Sequence, residues 1–162
     1  MYEWRLRYEA SPARIGAIDV GAIAWRCCIS SDLARAVATA KATFTGPVEC
    51  TSLLREPEFL QFRTGRLRLP VWAWRCLMGL AWMTGHESQR SCRDDFLHRV
   101  SAVADAIEGR TEDVLVVSHA GMMTYLSREL RRRGFEGPSL RIATHAKLYV
   151  FERKEKNSAK GR

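Results

Sequence analysis

Two polar residues stand at points of the sequence where a ligand site can form. His119 follows the apolar run Val114–Val117 with only Ser118 between them, and two small residues come after it. Arg35 stands shortly after another apolar run, which ends in a Ser-Ser-Asp triplet. In a parallel sheet, the carboxyl ends of the strands and the helix N-termini behind them share one crevice that favours anions. An imidazole and a guanidinium at that edge therefore indicate an anion-binding site.

The apolar spacing predicts the elements that hold Arg35. Residues 24–29 predict a buried strand, and the three cap-type residues 30–32 predict a helix start. After them, Leu33 and Val37 begin an apolar repeat at the spacing of one helix face. Strand, cap and helix thus follow one another without a long loop.

The second half of the chain repeats this order around His119. Residues 87–108 predict a long amphipathic helix, Val114–Val117 predict a strand covered on both faces, and a further helix should end at Gly134. Residues 146–152 alternate as an edge strand does. These units predict an α/β fold, a three-layer sandwich with a mostly parallel sheet flanked by helices.

The domain organisation follows from length and composition. A chain of 162 residues is long enough for one domain and too short for two. We predict a single domain over residues 1–152, with an irregular insert or lid over about 49–85, and a disordered basic tail over 153–162. The tryptophans of the insert indicate a helix packed over the core or a lid.

The composition narrows the class of partner. The net charge of +8 favours anionic partners, among them phosphorylated small molecules and nucleic acid. A nucleic-acid-binding module is the less favoured alternative, because no aromatic residues are interleaved with the basic ones for base stacking.

The composition also bears on compartment and cofactors. Five cysteines without metal-type spacing predict free thiols in a reducing compartment and no metal site. We find no spanning apolar run and no secretory signal, so we predict a cytoplasmic protein without a membrane partner.

Three segments of the sequence carry a family resemblance. Residues 29–36, Ile-Ser-Ser-Asp-Leu-Ala-Arg-Ala, resemble the Ser-Ser-Asp-Leu-x-Arg-Ala segment of histidine phosphatases, the phosphoglycerate mutase-like superfamily. Residues 116–121, Val-Val-Ser-His-Ala-Gly, resemble the second histidine motif of that family. Residues 53–56, Leu-Leu-Arg-Glu, are similar to its Leu-x-Glu segment. Order and spacing agree over about residues 24–152.

The resemblance implies a role for each matching residue. Arg35 is implied as the arginine that clamps the phosphate in a bidentate contact. His119 is implied as the second histidine, which binds and polarises the transferring phosphoryl group. Glu56 is implied as the general acid that protonates the leaving oxygen, with Glu58 as the alternative because Pro57 makes the register uncertain.

The resemblance also implies the surroundings of the site. Ser118 and Gly121 are implied to line the phosphate pocket. The basic side chains of Arg63, Arg66 and Arg68 either contact the remaining anionic groups of the substrate or are solvated charges of the lid. The implied substrate is a small phosphate ester, and neither a metal nor another cofactor is implied.

The sequence departs from the family at the nucleophile. The family attacks phosphate with a histidine in an Arg-His-Gly triplet at the end of its first, central strand, and these 162 residues contain no such triplet. His86, His98 and His145 do not stand in that context. We therefore expect either a phosphohydrolase whose first central strand and nucleophile lie upstream of Met1, or a catalytically degenerate relative that binds phosphate.

Overall fold

The computed structural model of the protein describes residues 19–58 and 70–153. The N-terminal segment, most of the insert between β2 and α2, and residues 154–162 lie outside this part of the chain. In chain order the elements are β1 (Cys27–Ser31), α1 (Ala34–Thr43), β2 (Val48–Thr51), a 3-10 turn (Ser52–Leu54), α2 (Val71–Thr84), α3 (Glu87–Glu108), β3 (Val114–Val117), α4 (Ala120–Arg132), β4 (Phe135–Glu136) and β5 (Glu152–Arg153).

The central sheet has three parallel strands in the order β2-β1-β3. Cys28 of β1 lies opposite Val48 on one side and opposite Leu115 on the other. All three strands thus point their carboxyl ends to the same rim. A separate antiparallel pair joins β4 to β5, with Phe135 opposite Arg153.

Helices cover both faces of the sheet. Cys27 and Ile29 of β1 pack in a core with α2, α3 and α4, in which Phe96 is fully buried. Cys28 points to the opposite face and packs with Ala40 of α1. Because neighbouring residues of β1 are buried on opposite faces, its first three residues, Cys27–Ile29, are all apolar rather than alternating. The predicted α/β sandwich with a parallel sheet flanked by helices is confirmed.

The longest and most uniform patterns were predicted to the residue. The helix over 87–108 and the strand over Val114–Val117 have the predicted bounds. The first strand is shifted, because it spans Cys27–Ser31 instead of 24–29. Ser30 and Ser31 are fully buried as its last residues, and Leu33 takes the N-cap position without a side-chain cap.

One prediction about the middle of the chain was wrong. Residues 48–51 form β2, where we expected irregular structure, because this short strand is half exposed and has no clear apolar pattern. The Trp-rich run forms α2, and its two ends differ in burial. Trp82 is buried and donates its indole N–H to Tyr125 Oη at 2.8 Å, whereas Trp72 is 70% exposed.

The predicted edge strand over 146–152 was also wrong. Only Glu152–Arg153 pairs, and it pairs with β4 rather than with the main sheet. Residues 147–151 have no strand partner among the described residues, although Leu148 and Phe151 pack against the core. Arg153, which we expected in the disordered tail, donates to the backbone oxygen of Glu108 at 2.6 Å. No helix in the described part of the chain is long and apolar enough to cross a bilayer.

Candidate active site

His119 and Ser31 meet at the carboxyl rim of the sheet. β1 ends at Ser31, and His119 occupies the N-cap position of α4, one residue beyond Ser118 and the end of β3. His119 Nε2 lies 3.0 Å from Ser31 Oγ, within hydrogen-bond distance. Ser31 is fully buried, so this contact holds one nitrogen of the half-buried imidazole ring in place.

Arg35 belongs to the same rim by topology. It is the second residue of α1, which begins three residues after β1 ends, and β1 is the direct neighbour of β3. Its side chain is half-buried. Because the strands are parallel, the helix starts that carry Arg35 and His119 lie at the same edge of the sheet. The structure thus has the two predicted anion-binding side chains on adjacent strand-to-helix junctions.

An ion pair joins the first junction to the loop that carries Glu56. Arg55 donates from Nε to Asp32 Oδ1 at 2.7 Å and from Nη2 to Asp32 Oδ2 at 2.6 Å. These hydrogen bonds lower the pKa of Asp32, so its carboxyl group stays ionised. The pairing also neutralises a carboxylate that would otherwise repel an anion at the rim.

Two side chains fix the backbone of residues 52–58, which we call the acid loop after Glu56 and Glu58: Ser118, just beyond β3, and Arg99 of α3. Ser118 Oγ donates to the backbone oxygen of Leu54 at 2.7 Å. From the other side, Arg99 Nη1 of α3 donates to the backbone oxygen of Arg55 at 3.1 Å and lies near two earlier carbonyl oxygens. The guanidinium of Arg99 also lies over the ring of Phe96, 5.4 Å from its centroid. The acid loop is therefore held between α3 and the start of α4.

Glu56 lies against the N-terminal turn of α4. The backbone N–H of Gly121 donates to Glu56 Oε1 at 3.5 Å, the long limit of a hydrogen bond. A Cβ atom at position 121 would lie 3.3 Å from Pro57 Cδ, so glycine allows this close approach. The carboxyl group therefore lies beside the first turn of α4, at the positive end of the helix. Glu58 lines the same surface cavity of about 420 Å³ as Glu56.

A second histidine, which we did not predict for the site, lies near the rim. A cavity of about 120 Å³ is lined by both His119 and His145, together with Ser118 and Thr39. His145 is exposed and stands in the turn that precedes the irregular segment 147–151. The sequence around His145 gave no signal that it lies near His119. The two residues come together only because the irregular segment 147–151 folds back over β3.

One comparison decides the family. A family model described as the histidine phosphatase superfamily (branch 1) matches residues 9–160. The chain belongs to this superfamily. No curated protein and no solved structure matches the chain. The family assignment rests on a match over most of the sequence, and the three motif segments lie within it.

Only part of the candidate site of this histidine phosphatase lies within the described residues. Ser31, Asp32 and Arg55 were missed from the sequence. The signal that could have indicated the ion pair is the opposite charge of Asp32 and Arg55, which stand in two loops that follow neighbouring strands. Arg63, Arg66 and Arg68 lie outside the described residues. Among the described residues, no group of three or more histidine, cysteine or acidic side chains is arranged to hold a metal ion.

Proposed function

We propose that this histidine phosphatase domain is a phosphohydrolase that acts on a small phosphate ester through a phosphohistidine. The observation that carries the proposal is the contact of His119 with Ser31 at the rim. The carboxyl group of Glu56 accepts from the N–H of Gly121, two positions after His119 in the sequence. An imidazole, a carboxyl group and a helix N-terminus together supply what a phosphoryl transfer needs, apart from the attacking group.

Arg35 and His119 hold the phosphoryl group in this proposal. The guanidinium of Arg35 binds two phosphoryl oxygens, and His119 donates a hydrogen bond to a third. As charge spreads over these oxygens in the transition state, both contacts strengthen. Ser118 and the N–H of Gly121 line the pocket, and Ser31 orients the imidazole.

Glu56 serves as the general acid. When the bond between phosphorus and the leaving oxygen breaks, the protonated carboxyl group donates its proton to that oxygen, and the alcohol leaves. The carboxylate then accepts a proton from the water that attacks the phosphohistidine, which releases inorganic phosphate. The cavity of about 420 Å³ beside Glu56 offers space for the leaving group.

The attacking histidine comes from outside these 162 residues in this proposal, because the sequence contains no Arg-His-Gly triplet. Free imidazole can take the place of that side chain. It attacks phosphorus as the histidine would, forms N-phosphoimidazole, and water then hydrolyses this intermediate. Hydrolysis of p-nitrophenyl phosphate in the presence of imidazole therefore tests the site itself, without an attacking histidine side chain.

We expect the chain to raise the imidazole-dependent rate of hydrolysis, and we expect His119→Ala and Arg35→Met to abolish the increase. His98→Ala is the matched control, since His98 is exposed on α3. Equal rates for wild-type protein and His119→Ala would refute a catalytic role. A catalytically degenerate relative is the second candidate, favoured by the absent triplet. It would bind inorganic phosphate in a His119-dependent manner and give no imidazole-dependent turnover.

A further inference from the structure

The turn that carries His145 is held in place by two hydrogen bonds. The backbone N–H of Ala143 donates to Thr124 Oγ1 of α4 at 3.1 Å, and both residues are buried. The backbone N–H of Thr144 donates to Tyr149 Oη at 2.9 Å, which closes the turn on itself. Because both bonds fix backbone groups, the fold sets the position of His145 relative to α4, even though its side chain is exposed.

The backbone is strained directly after His145. Ala146 has a φ of 52°, in the left-handed region, and it is the one residue other than glycine with a positive φ within residues 19–58 and 70–153. Alanine has no polar side chain that could compensate for this conformation, so the surrounding contacts must hold it. Strained residues of this kind are concentrated at functional sites. The strain therefore favours a functional role for the turn.

His145 and His119 line one cavity of about 120 Å³ at the carboxyl rim of the sheet. His119 stands at the N-terminus of α4 and His145 in the turn, so the two imidazoles come from separate elements. Thr39 of α1, one turn after Arg35, lines the same space. Pockets that hold whole ligands have volumes of roughly 300–1,000 Å³. The size of this cavity therefore matches one phosphoryl group rather than a complete substrate.

The charges around this cavity suit a phosphoryl group. Among the described residues that line it, none carries a carboxyl group, and Lys147 contributes a positive charge. The cavity beside Glu56 is lined by three carboxyl groups and two arginines, so its net formal charge is negative. A dianionic group is attracted to the first cavity and repelled from the second. The charges thus favour the phosphoryl group beside the two histidines and the leaving group beside Glu56.

Most hydroxyl groups around the cavity are already used as donors. Thr39, Thr43 and Ser118 donate to backbone oxygen atoms at distances of 2.7–3.0 Å. A hydroxyl group has a single proton, so these three side chains cannot also donate to an anion. The turn supplies N–H donors instead, on His145 and Lys147.

We propose that His145 is a second imidazole ligand of the phosphoryl group. Its ring donates a hydrogen bond to a phosphoryl oxygen across the cavity from His119, and the turn over residues 143–149 holds it there. Lys147 is the less suited donor, because its Nζ lies 5.5 Å from the centroid of the Tyr149 ring, in a cation–π contact. This inference rests on the proposed function, since it adds a contact to the same phosphoryl group.

The ring signals of the histidines in nuclear magnetic resonance spectra test this inference directly. Inorganic phosphate is added to the full chain at constant pH, and each of the four histidines is assigned by its replacement with glutamine. We expect the signals of His119 and His145 to shift together, with one dissociation constant. The signals of His86 and His98 should stay in place, because neither residue lines the cavity.

Two different failures can be told apart in this titration. A shift of His119 without a shift of His145 would overturn the role of His145 and leave the proposed function standing. Unchanged signals for both residues would contradict phosphate binding at the rim, and with it the proposed function.

Variants separate the hydrogen bond of His145 from a structural role. We expect His145→Ala to weaken phosphate binding about tenfold in a calorimetric titration, and His145→Gln, which keeps an N–H donor, to weaken it less than about threefold. Arg141→Met is the matched control, because it removes a nearby exposed charge that does not line the cavity, and it should bind as wild type does. Wild-type affinity in His145→Ala, or a loss of affinity in Lys147→Met alone, would overturn the proposal.

Attack on phosphorus by His145 itself would also be visible. In that case the protein would hydrolyse p-nitrophenyl phosphate without added imidazole, and His145→Ala would not. A ring nitrogen of His145 would form the bond to phosphorus as the bond to the leaving oxygen breaks, and mass spectrometry would find an acid-labile phosphoryl group on this residue. That result would overturn the role of His145 as a ligand, which expects turnover only when imidazole is added.

Discussion

His119 Nε2 lies 3.0 Å from Ser31 Oγ, although 88 positions separate the two residues in the sequence. The contact joins the ends of β1 and β3, which are adjacent parallel strands, and thereby brings both strand-to-helix junctions to one site. It also sets the orientation of the imidazole ring, because Ser31 holds one of its two nitrogens.

Removal of the Ser31 hydroxyl should weaken anion binding without unfolding the protein. A single hydrogen bond contributes about 0.5–1.5 kcal/mol, so Ser31→Ala should weaken binding of orthovanadate about two- to tenfold in a calorimetric titration. Ser30→Ala is the matched control, because Ser30 is equally buried in β1 and its hydroxyl donates to a backbone oxygen. Equal affinities for the two variants would show that the contact with His119 does not orient the ring.

The pair of Asp32 and Arg55 should couple the acid loop to the first junction. A double-mutant cycle with Asp32→Asn and Arg55→Met, read by thermal unfolding at pH 7, should give a coupling of about 0.5–1 kcal/mol, since both side chains are partly exposed. Because the pKa of Asp32 is lowered in the folded state, this coupling is present above the unfolded pKa and is lost as pH falls through the folded value.

Arg55→Lys separates charge from geometry in that cycle. Lysine keeps the positive charge but cannot form the two parallel hydrogen bonds. It should retain less than half of the coupling. A full coupling with lysine would mean that charge alone joins the two loops.

A methyl group at position 121 should displace the acid loop. The added Cβ would lie 3.3 Å from Pro57 Cδ and 3.8 Å from Glu56 Oε1, so Pro57 has to shift by a few tenths of an ångström. We expect Gly121→Ala to lower the imidazole-dependent hydrolysis rate about tenfold while the protein stays folded, because small displacements of a general acid slow proton transfer strongly. The rate is measured with phenyl phosphate, because its more basic leaving oxygen needs the proton that a general acid supplies.

Gly79→Ala is the control for this substitution. Gly79 lies inside α2, and no atom lies within 4 Å of a Cβ added there. Alanine should raise the free energy of unfolding by about 0.5–1 kcal/mol and leave the rate unchanged. If Gly121→Ala and Gly79→Ala hydrolyse equally fast, the close approach of Pro57 has no part in placing Glu56.

Glu129 should stabilise the fold in a pH-dependent manner. Hydrogen bonds from Arg132, and then from Arg133, lower its pKa to about 2. The stabilisation is therefore complete above the unfolded pKa of about 4.3 and declines as pH falls towards 2. Glu129→Gln should lower the free energy of unfolding by about 1.5–3 kcal/mol at pH 7, since charged hydrogen bonds are lost.

Denaturant unfolding between pH 2 and pH 7 checks this prediction. The difference between wild-type protein and Glu129→Gln should narrow below pH 4. Glu152→Gln, at an exposed position in β5, should differ little from wild type at any pH. A constant difference for Glu129→Gln across the whole range would mean that its charge is not the source of the stabilisation.

The sequence predicted those parts of the fold in which one pattern runs without interruption. α3 and β3 were placed to the residue because their apolar spacing is regular over the whole element. β2 was missed because four residues with two exposed side chains carry no clear period. Residues 147–151 alternate as a strand does, yet they have no neighbouring strand within residues 19–58 and 70–153. A local pattern cannot report whether a partner strand is present.

The candidate site was predictable only where residues stand directly after strands. Arg35 and His119 were predicted as candidates because strand ends of parallel sheets form ligand sites. The hydrogen bonds from Ser118 to Leu54 and from Arg99 to Arg55 depend on how distant segments pack, and no spacing in the sequence encodes them.

Titration of inorganic phosphate, followed by isothermal calorimetry, tests the central claim that one rim of the sheet holds a phosphoryl group. We predict that Arg35→Met and His119→Ala each weaken phosphate binding at least tenfold, because each removes a hydrogen bond to a charged group of about 1.5–3 kcal/mol. Arg131→Met, at an exposed position of α4, should bind as wild type does. Wild-type affinity in both Arg35→Met and His119→Ala would contradict the account.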